Sequence, residues 1–393
     1  MEFAKKRVLI YKWRAYNYLD VYETFQRMGY EVDVIEQSLS SYDEDEVFSN
    51  RLSHILSETT YDFMFTINYF GVISDVCERF ALPYISWSCD SPLISMYHES
   101  VFNQCNYIFL FDKSSCLYFQ SIGVKHVWHL PLAVDTGRVD YILENASDLE
   151  LYQNEISFVG SLYERNTYDK LLPTLPPYLQ GYFDSALEAQ LNVSGGNLLE
   201  RLLTDEICEK LQQYYRLEKT ERSFSNLKLI FSTTVLGYKA AKEQRTRALL
   251  ALAKKHSVSI YTNSNASKLL RVDYRGSVDY FSQMPKVFYG SKINLNFTIP
   301  NIQSGIPLRV WDILGAGGFL LTNYQPELEL YFDIGKDLEI FEDASQLEQK
   351  ASYYLSHEKE RAQIAENGYQ KVKGTHSYMR RIQEMIDKSA IYQ

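Results

Sequence analysis

The stretch KINLNFTIPNIQSGIPLRVWDILGAGGFLLTN, from Lys292 to Asn323, has the residue types and spacing of an anion site. A strand runs into a loop, and Ser304-Gly305-Ile306-Pro307 then opens a helix. Ser304 is expected as its N-cap and Pro307 in its first turn, where a missing N–H costs nothing. Free backbone N–H groups and the positive helix end favour a phosphate there. Arg309 adds a planar fork suited to two phosphate oxygens. Asp312, on the same helical face, can accept two hydrogen bonds from a ribose diol. An Arg and an Asp three residues apart also make an ordinary helix-surface ion pair. Their place behind a strand end favours a site.

A second candidate lies in the N-terminal half. Trp87-Ser88-Cys89-Asp90-Ser91-Pro92 follows a strand end, where open sheets gather reactive groups. Asp90 is placed to act as general base toward an acceptor hydroxyl, with His98 and Glu99 near in sequence; an Asp before Ser-Pro is also a common turn former. Asn68 and Tyr69, at the end of YDFMFTINYF, and Trp13 and Arg14, after the first strand, are expected to face the same cleft. Asp43-Glu44-Asp45 contains an Asp-x-Asp, which can hold a metal, but it also suits a solvated acidic helix start. The seven histidines show no H-x-E or H-x-x-x-H pairing, so no metal is expected. His129 is expected to be structural, and Arg245 and Arg247 to lie on a solvated helix face.

Positioning such groups calls for parallel sheets. RVLIY, EVDVIE, YDFMFTIN, LPYISWS, YIFLFD and KHVWHLPL read as strands separated by helical patterns. EISFVGS, SVSIYT, the VDYRGSVDY segment, KINLNFT, FLLTN and LEIF repeat the scheme. The fold class is α/β. Two Rossmann-like, doubly wound domains are expected to face a central cleft: 1–150, and 151–376 with a helical insertion over about 168–240. A terminal helix at about 377–393 is expected to pack back on the first. The 393 residues are 46% hydrophobic and 23% charged, enough for full-sized cores. A formal net charge of -10 gives no general attraction to nucleic acid or anionic lipid. Aromatic residues reach 15%, with 32 tyrosines, which suits clefts that stack on sugars or bases and equally a Tyr-rich core. The five cysteines lack a C-x-x-C pattern and fit reduced thiols. The apolar run Val8–Tyr11 is too short for a signal-peptide core, and no stretch approaches a membrane span. A cytoplasmic location is expected, with the four N-x-S/T sequences left unmodified. No G-x-G-x-x-G follows the first strand, which disfavours a dehydrogenase.

From Val278 to about Arg380, GSVDY, SKINLN, P-L-R-V-W-D, GAGGFLLTN and ENGYQKV…HSYMRR resemble the C-terminal half of CgeB-like glycosyltransferases, the spore-maturation-protein branch of the GT-B group. YDFMFTINYFG, WSCDSP and HLPLAVD resemble the domain of unknown function often fused to it. The resemblance implies a GT-B fold and a nucleotide-sugar donor, a UDP-sugar favoured, held by the C-terminal domain. It implies Arg309 at the diphosphate, Asp312 at the ribose, and backbone around Val278 at the base. Gly160 and Arg165, in FVGSLYERN, would meet phosphate. It implies transfer to a glycan or protein hydroxyl, with retention and without cofactor or metal. The pattern departs at one place. Retaining members carry E-x7-E; Asp312 fits the second acid, but Ser304 stands where the first belongs, which puts the donor sugar and the stereochemistry in question. A nucleotide-sugar epimerase and a non-catalytic sugar-binding protein are the alternatives.

Overall fold

The computed structural model describes residues 6–392. Contacts divide the chain into two compact units: residues 1–133, 218–225 and 377–393, and residues 134–217 with 226–376. The sequence boundary expected at 150 thus falls inside the second unit, and the segment 218–225 returns to the first.

The first unit holds β1 (Arg7–Lys12), β2 (Glu31–Glu36), β3 (Phe63–Ile67), β4 (Tyr84–Trp87), β5 (Asn106–Leu110) and β6 (Val127–His129). They form one parallel sheet in the order β2-β1-β3-β4-β5-β6. Helices cover both faces, so the central strands are continuous apolar runs rather than alternating ones, and every residue of β3 and β4 is buried. The edge strand β2 carries Glu31, Asp33 and Glu36, charges that blunt further pairing. The helix Tyr378–Ser389 belongs to this unit, and its Tyr378 packs edge-on against Trp87 at 5.8 Å.

The second unit holds β7 (Asn154–Val159), β8 (Val258–Tyr261), β9 (Asp273–Tyr274), β10 (Ser291–Asn296), β11 (Leu320–Asn323) and β12 (Glu339–Phe341). Their parallel order is β12-β11-β10-β7-β8-β9. Between β7 and β8 the chain builds the expected helical insertion, with its own core around Tyr168, Phe183, Leu199, Ile207 and Phe231. It ends in a π-helical turn, Phe231–Gly237, that runs straight into the helix Tyr238–Leu252.

Each sheet has one topological switch point, where consecutive connections leave in opposite directions and open a crevice at the strand ends. In the first sheet it lies between β1 and β3; in the second, between β7 and β10.

Candidate functional site

The β7/β10 switch point is spanned by one side chain. Arg245, from the helix Tyr238–Leu252, donates to the carbonyl of Ser161 behind β7 at 2.5 Å and to that of Phe297 behind β10 at 2.6 Å. It is only 8% exposed and lies over the rings of Phe158 and Tyr163. Its Nε has no hydrogen-bond partner among the described residues, and no carboxylate there pairs with it. Burial pulls its pKa below the ordinary guanidinium value, and the nearby Arg309 pulls the same way. A buried cation without a counter-charge, next to a second cation, is costly unless an anion joins it.

The sequence expectation of a solvated face for Arg245 is therefore corrected. Arg247 does sit on that face, half-exposed and paired with Glu188. A signal for the difference existed: Ala241, Ala248, Leu249 and Leu252 lie four before and three, four and seven after position 245, so Arg245 belongs to the buried stripe.

The helix Leu308–Gly315 supplies the second cation. Arg309 approaches Asp312 at 3.4 Å, contacts the Met284 sulfur and lies over the Phe288 ring. Asp312 is buried, and the Tyr280 hydroxyl donates to its Oδ1 at 2.9 Å. Burial pushes its pKa up to about 6, against the opposing pull of Arg309, Tyr280 and Arg138. Arg138, in the helix Thr136–Glu144, donates to the Phe281 carbonyl at 3.1 Å and stacks over that ring. Tyr280 and Arg138 escaped the sequence reading, because nothing local ties either to Asp312.

Other expected residues are placed differently. The helix starts at Leu308 with Pro307 as N-cap and no side-chain cap. Ser304 lies a turn earlier and is not the cap; its hydroxyl donates to Glu327 Oε1 at 2.8 Å. Gly305 is buried beside it. Gly160 follows β7, its N–H donating to the Tyr261 carbonyl. Arg165 has its side chain 90% exposed, 3.9 Å from Glu164. Val278 is half-buried outside the short strand β9, just before a turn held by the Asp279 carboxylate.

In the first unit, Asn68 stands at the end of β3 with φ 64, a left-handed conformation that asparagine tolerates better than most. Its amide donates to Asp90 Oδ2 at 2.7 Å, and its oxygen accepts from the Cys89 N–H at 2.8 Å. Asp90 itself is exposed, yet the surrounding protein displaces enough water to raise its pKa above the usual carboxylate range, with Asn68 pulling it back. Trp13 donates its indole N–H to the Ile67 carbonyl at 2.6 Å, spanning the β1/β3 crevice; Arg14 is exposed. Tyr69 does not face that crevice. It is buried, with its hydroxyl bonded to Ser100, because the left-handed turn at Asn68 sends the next side chain into the core. His98 is buried against Ser100 and Glu99 lies beside Arg222, so neither joins Asp90. His129 ends β6. Asp45 caps the helix Glu46–Glu58 through the Phe48 N–H, while Asp43 accepts from Thr220. Among the described residues no cluster of three metal-ligating side chains occurs, and no helix is long and apolar enough to cross a membrane.

Residues 243–387, which include Arg245, Arg309 and Asp312, match the family model described as glycosyl transferase-like. Among curated proteins no match is found. The chain superposes on HepE of Anabaena, crystallised with UDP and glucose, over 98% of its own length and 99% of that chain, with a TM-score of 0.60 at 9% identity. A glycosyltransferase from Rickettsia africae gives 0.60 at 9% identity over the whole of both chains. Sucrose-phosphate synthase from Thermosynechococcus elongatus gives 0.57 at 8% identity over 98% of each. The fold is that of GT-B glycosyltransferases.

Proposed function

We propose that the chain is a glycosyltransferase that moves a sugar from a nucleoside diphosphate, a UDP-sugar favoured, to a hydroxyl of a glycan or protein. One observation carries this reading: Arg245, buried without a carboxylate at the β7/β10 switch point and next to Arg309. A diphosphate is the anion that such a pair would bind and whose departure it would stabilise. The free N–H groups at the start of Leu308–Gly315 would add to that stabilisation. Asp312 would hold the ribose. The glycosyl transferase-like match over this segment, and UDP in the structurally similar Anabaena protein, support the choice of donor.

The bond between the sugar anomeric carbon and the phosphate oxygen breaks, and its electron pair leaves with the diphosphate. The acceptor oxygen bonds to the same carbon. With retention, as the CgeB-like resemblance implies, the acceptor proton passes to the departing phosphate oxygen, and Asp90 orients the acceptor. The two arginines and the helix end take the part of a metal ion, so turnover should persist in EDTA. With inversion, Asp90 would take the proton itself.

NMR of the anomeric product decides between these routes. A retained anomer is expected, and Asp90→Asn should raise the acceptor KM more than it lowers kcat. An inverted anomer, with kcat of Asp90→Asn down by about 10² or more, would replace retention by single displacement.

A further inference from the structure

The switch points share one backbone feature. Asn68, directly behind β3, and Tyr163, in the loop behind β7, both hold a left-handed backbone, at φ 64 and φ 52. Asparagine tolerates that conformation; for a residue as bulky as tyrosine it is an outlier, kept only where the surroundings over-determine it. The loop behind β7 is held in that way. Ser161 Oγ accepts from the Tyr163 N–H at 3.0 Å, the Asn166 amide donates to the Tyr163 carbonyl at 3.1 Å, and Ser264 Oγ accepts from the Leu162 N–H at 2.9 Å. Asn166 also bonds Asp169, which pairs with Lys239 and Lys242 of the helix that carries Arg245.

This backbone fixes the place of one ring. The Tyr163 centroid lies 4.9 Å from the guanidinium carbon of Arg245, and the ring stacks at 22° on Tyr238, 4.9 Å away. Phe158 also lies against Arg245, at 5.5 Å, but it belongs to β7 and packs on Phe297 in the core of the sheet. Tyr163 is half-buried and outside that core, so core packing does not account for its strained position. Contact with Arg245 does. The carbonyls of Ser161 and Phe297 set the direction of the guanidinium N–H groups, and an aromatic face attracts a cation most where water is scarce.

We infer that Tyr163 is a positioning residue for donor binding: its ring face holds the Arg245 guanidinium in the bridge, so that a diphosphate meets a cation already in place. The inference rests on the donor reading above. It adds the residue that preorganises Arg245 and gives the strained turn behind β7 a purpose.

Calorimetry with UDP on the full chain tests it. Tyr163→Gly removes the ring and relieves the left-handed backbone, so it should melt close to the wild type while binding UDP about tenfold more weakly. Tyr163→Phe keeps an aromatic face and should hold UDP affinity within about threefold of the wild type. Because the ring acts through Arg245, the Tyr163→Gly loss should shrink to within about twofold in the Arg245→Met background. Tyr163→Asn, which tolerates the same backbone, serves if Tyr163→Gly does not fold. Wild-type UDP affinity in Tyr163→Gly, a Tyr163→Phe no tighter than Tyr163→Gly, or a loss of the same size with and without Arg245 would each overturn the inference and leave the donor reading standing. If the wild type binds no UDP, the donor reading falls and this inference with it.

Discussion

The two switch points are built on the same topology and bridged in opposite ways. At β1/β3 the bridge is neutral: the Trp13 indole donates to the Ile67 carbonyl, and the nearby carboxylate, Asp90, is held by the Asn68 amide. At β7/β10 the bridge is a cation, Arg245, with Arg309 close by and the nearby carboxylate, Asp312, held by Tyr280. Parallel strands offer an open crevice in both sheets, and the residue that spans it sets what the crevice attracts. The cationic one suits a diphosphate. The neutral one is bridged by no charge and offers an anion nothing comparable.

The contrast is easiest to break at Arg245. Arg245→Met should weaken UDP binding by about 10² or more, since a buried charge pair is lost. The unliganded protein should lose little stability, because the cation is itself costly to bury. Equal UDP affinity by calorimetry would end the assignment of the bridge to phosphate.

Asp312 sharpens the comparison through pH. Its pKa is raised by burial from 3.8 to about 6, so the folded protein keeps a proton that the unfolded chain has released. Stability from this group is therefore greatest below the lower value, falls as pH rises between the two, and stays reduced above them. Asp312→Asn should melt higher than the wild type at pH 7, by the equivalent of roughly 2–3 kcal/mol, with the difference vanishing below about pH 4. A melting series across pH checks this; a variant that melts lower at pH 7 would show the carboxylate to be well paired.

Arg309→Ala should cost about 1.5–2.5 kcal/mol of donor binding, less than the loss at the bridge, because Arg309 is partly solvated. Calorimetry with UDP measures it, and a loss larger than that of Arg245→Met would reverse the ranking. The smallest effect is expected at the neutral bridge. Trp13→Phe removes one hydrogen bond, worth about 1 kcal/mol, and should lower the thermal midpoint by about 2–4 °C without changing UDP affinity. A changed UDP affinity would mean that the two crevices are not independent.

The local pattern was enough for the strands. All twelve lie inside segments that read as strands; the central ones are legible because a strand buried on both faces must be a continuous hydrophobic run, while the edge strands β2 and β9 are exposed and carry charge. The helix carrying Arg309 and Asp312 was visible for a related reason: Pro307, the apolar stripe and the glycines after it mark where a helix starts and ends. Asp45 as a helix cap was legible from an acidic residue before an apolar pattern. What could not be read locally are the partnerships across the sheet. Ser304 has the chemistry of an N-cap but spends its hydroxyl on Glu327, 23 residues away. Arg245 looks like half of a solvated R-T-R pair until the fold carries it between two strand ends 136 residues apart in sequence, the two carbonyls at 161 and 297. Tyr69 looks cleft-facing until a left-handed Asn68 turns it into the core. Periodicity and capping depend on neighbours within a turn or two, so the sequence by itself determined the elements and, through their alternation, the parallel sense of the sheets, while the strand order came from the fold. Burial, charge compensation and pKa depend on groups brought together from distant segments, so only the tertiary structure decided which arginine is buried and which carboxylate is held.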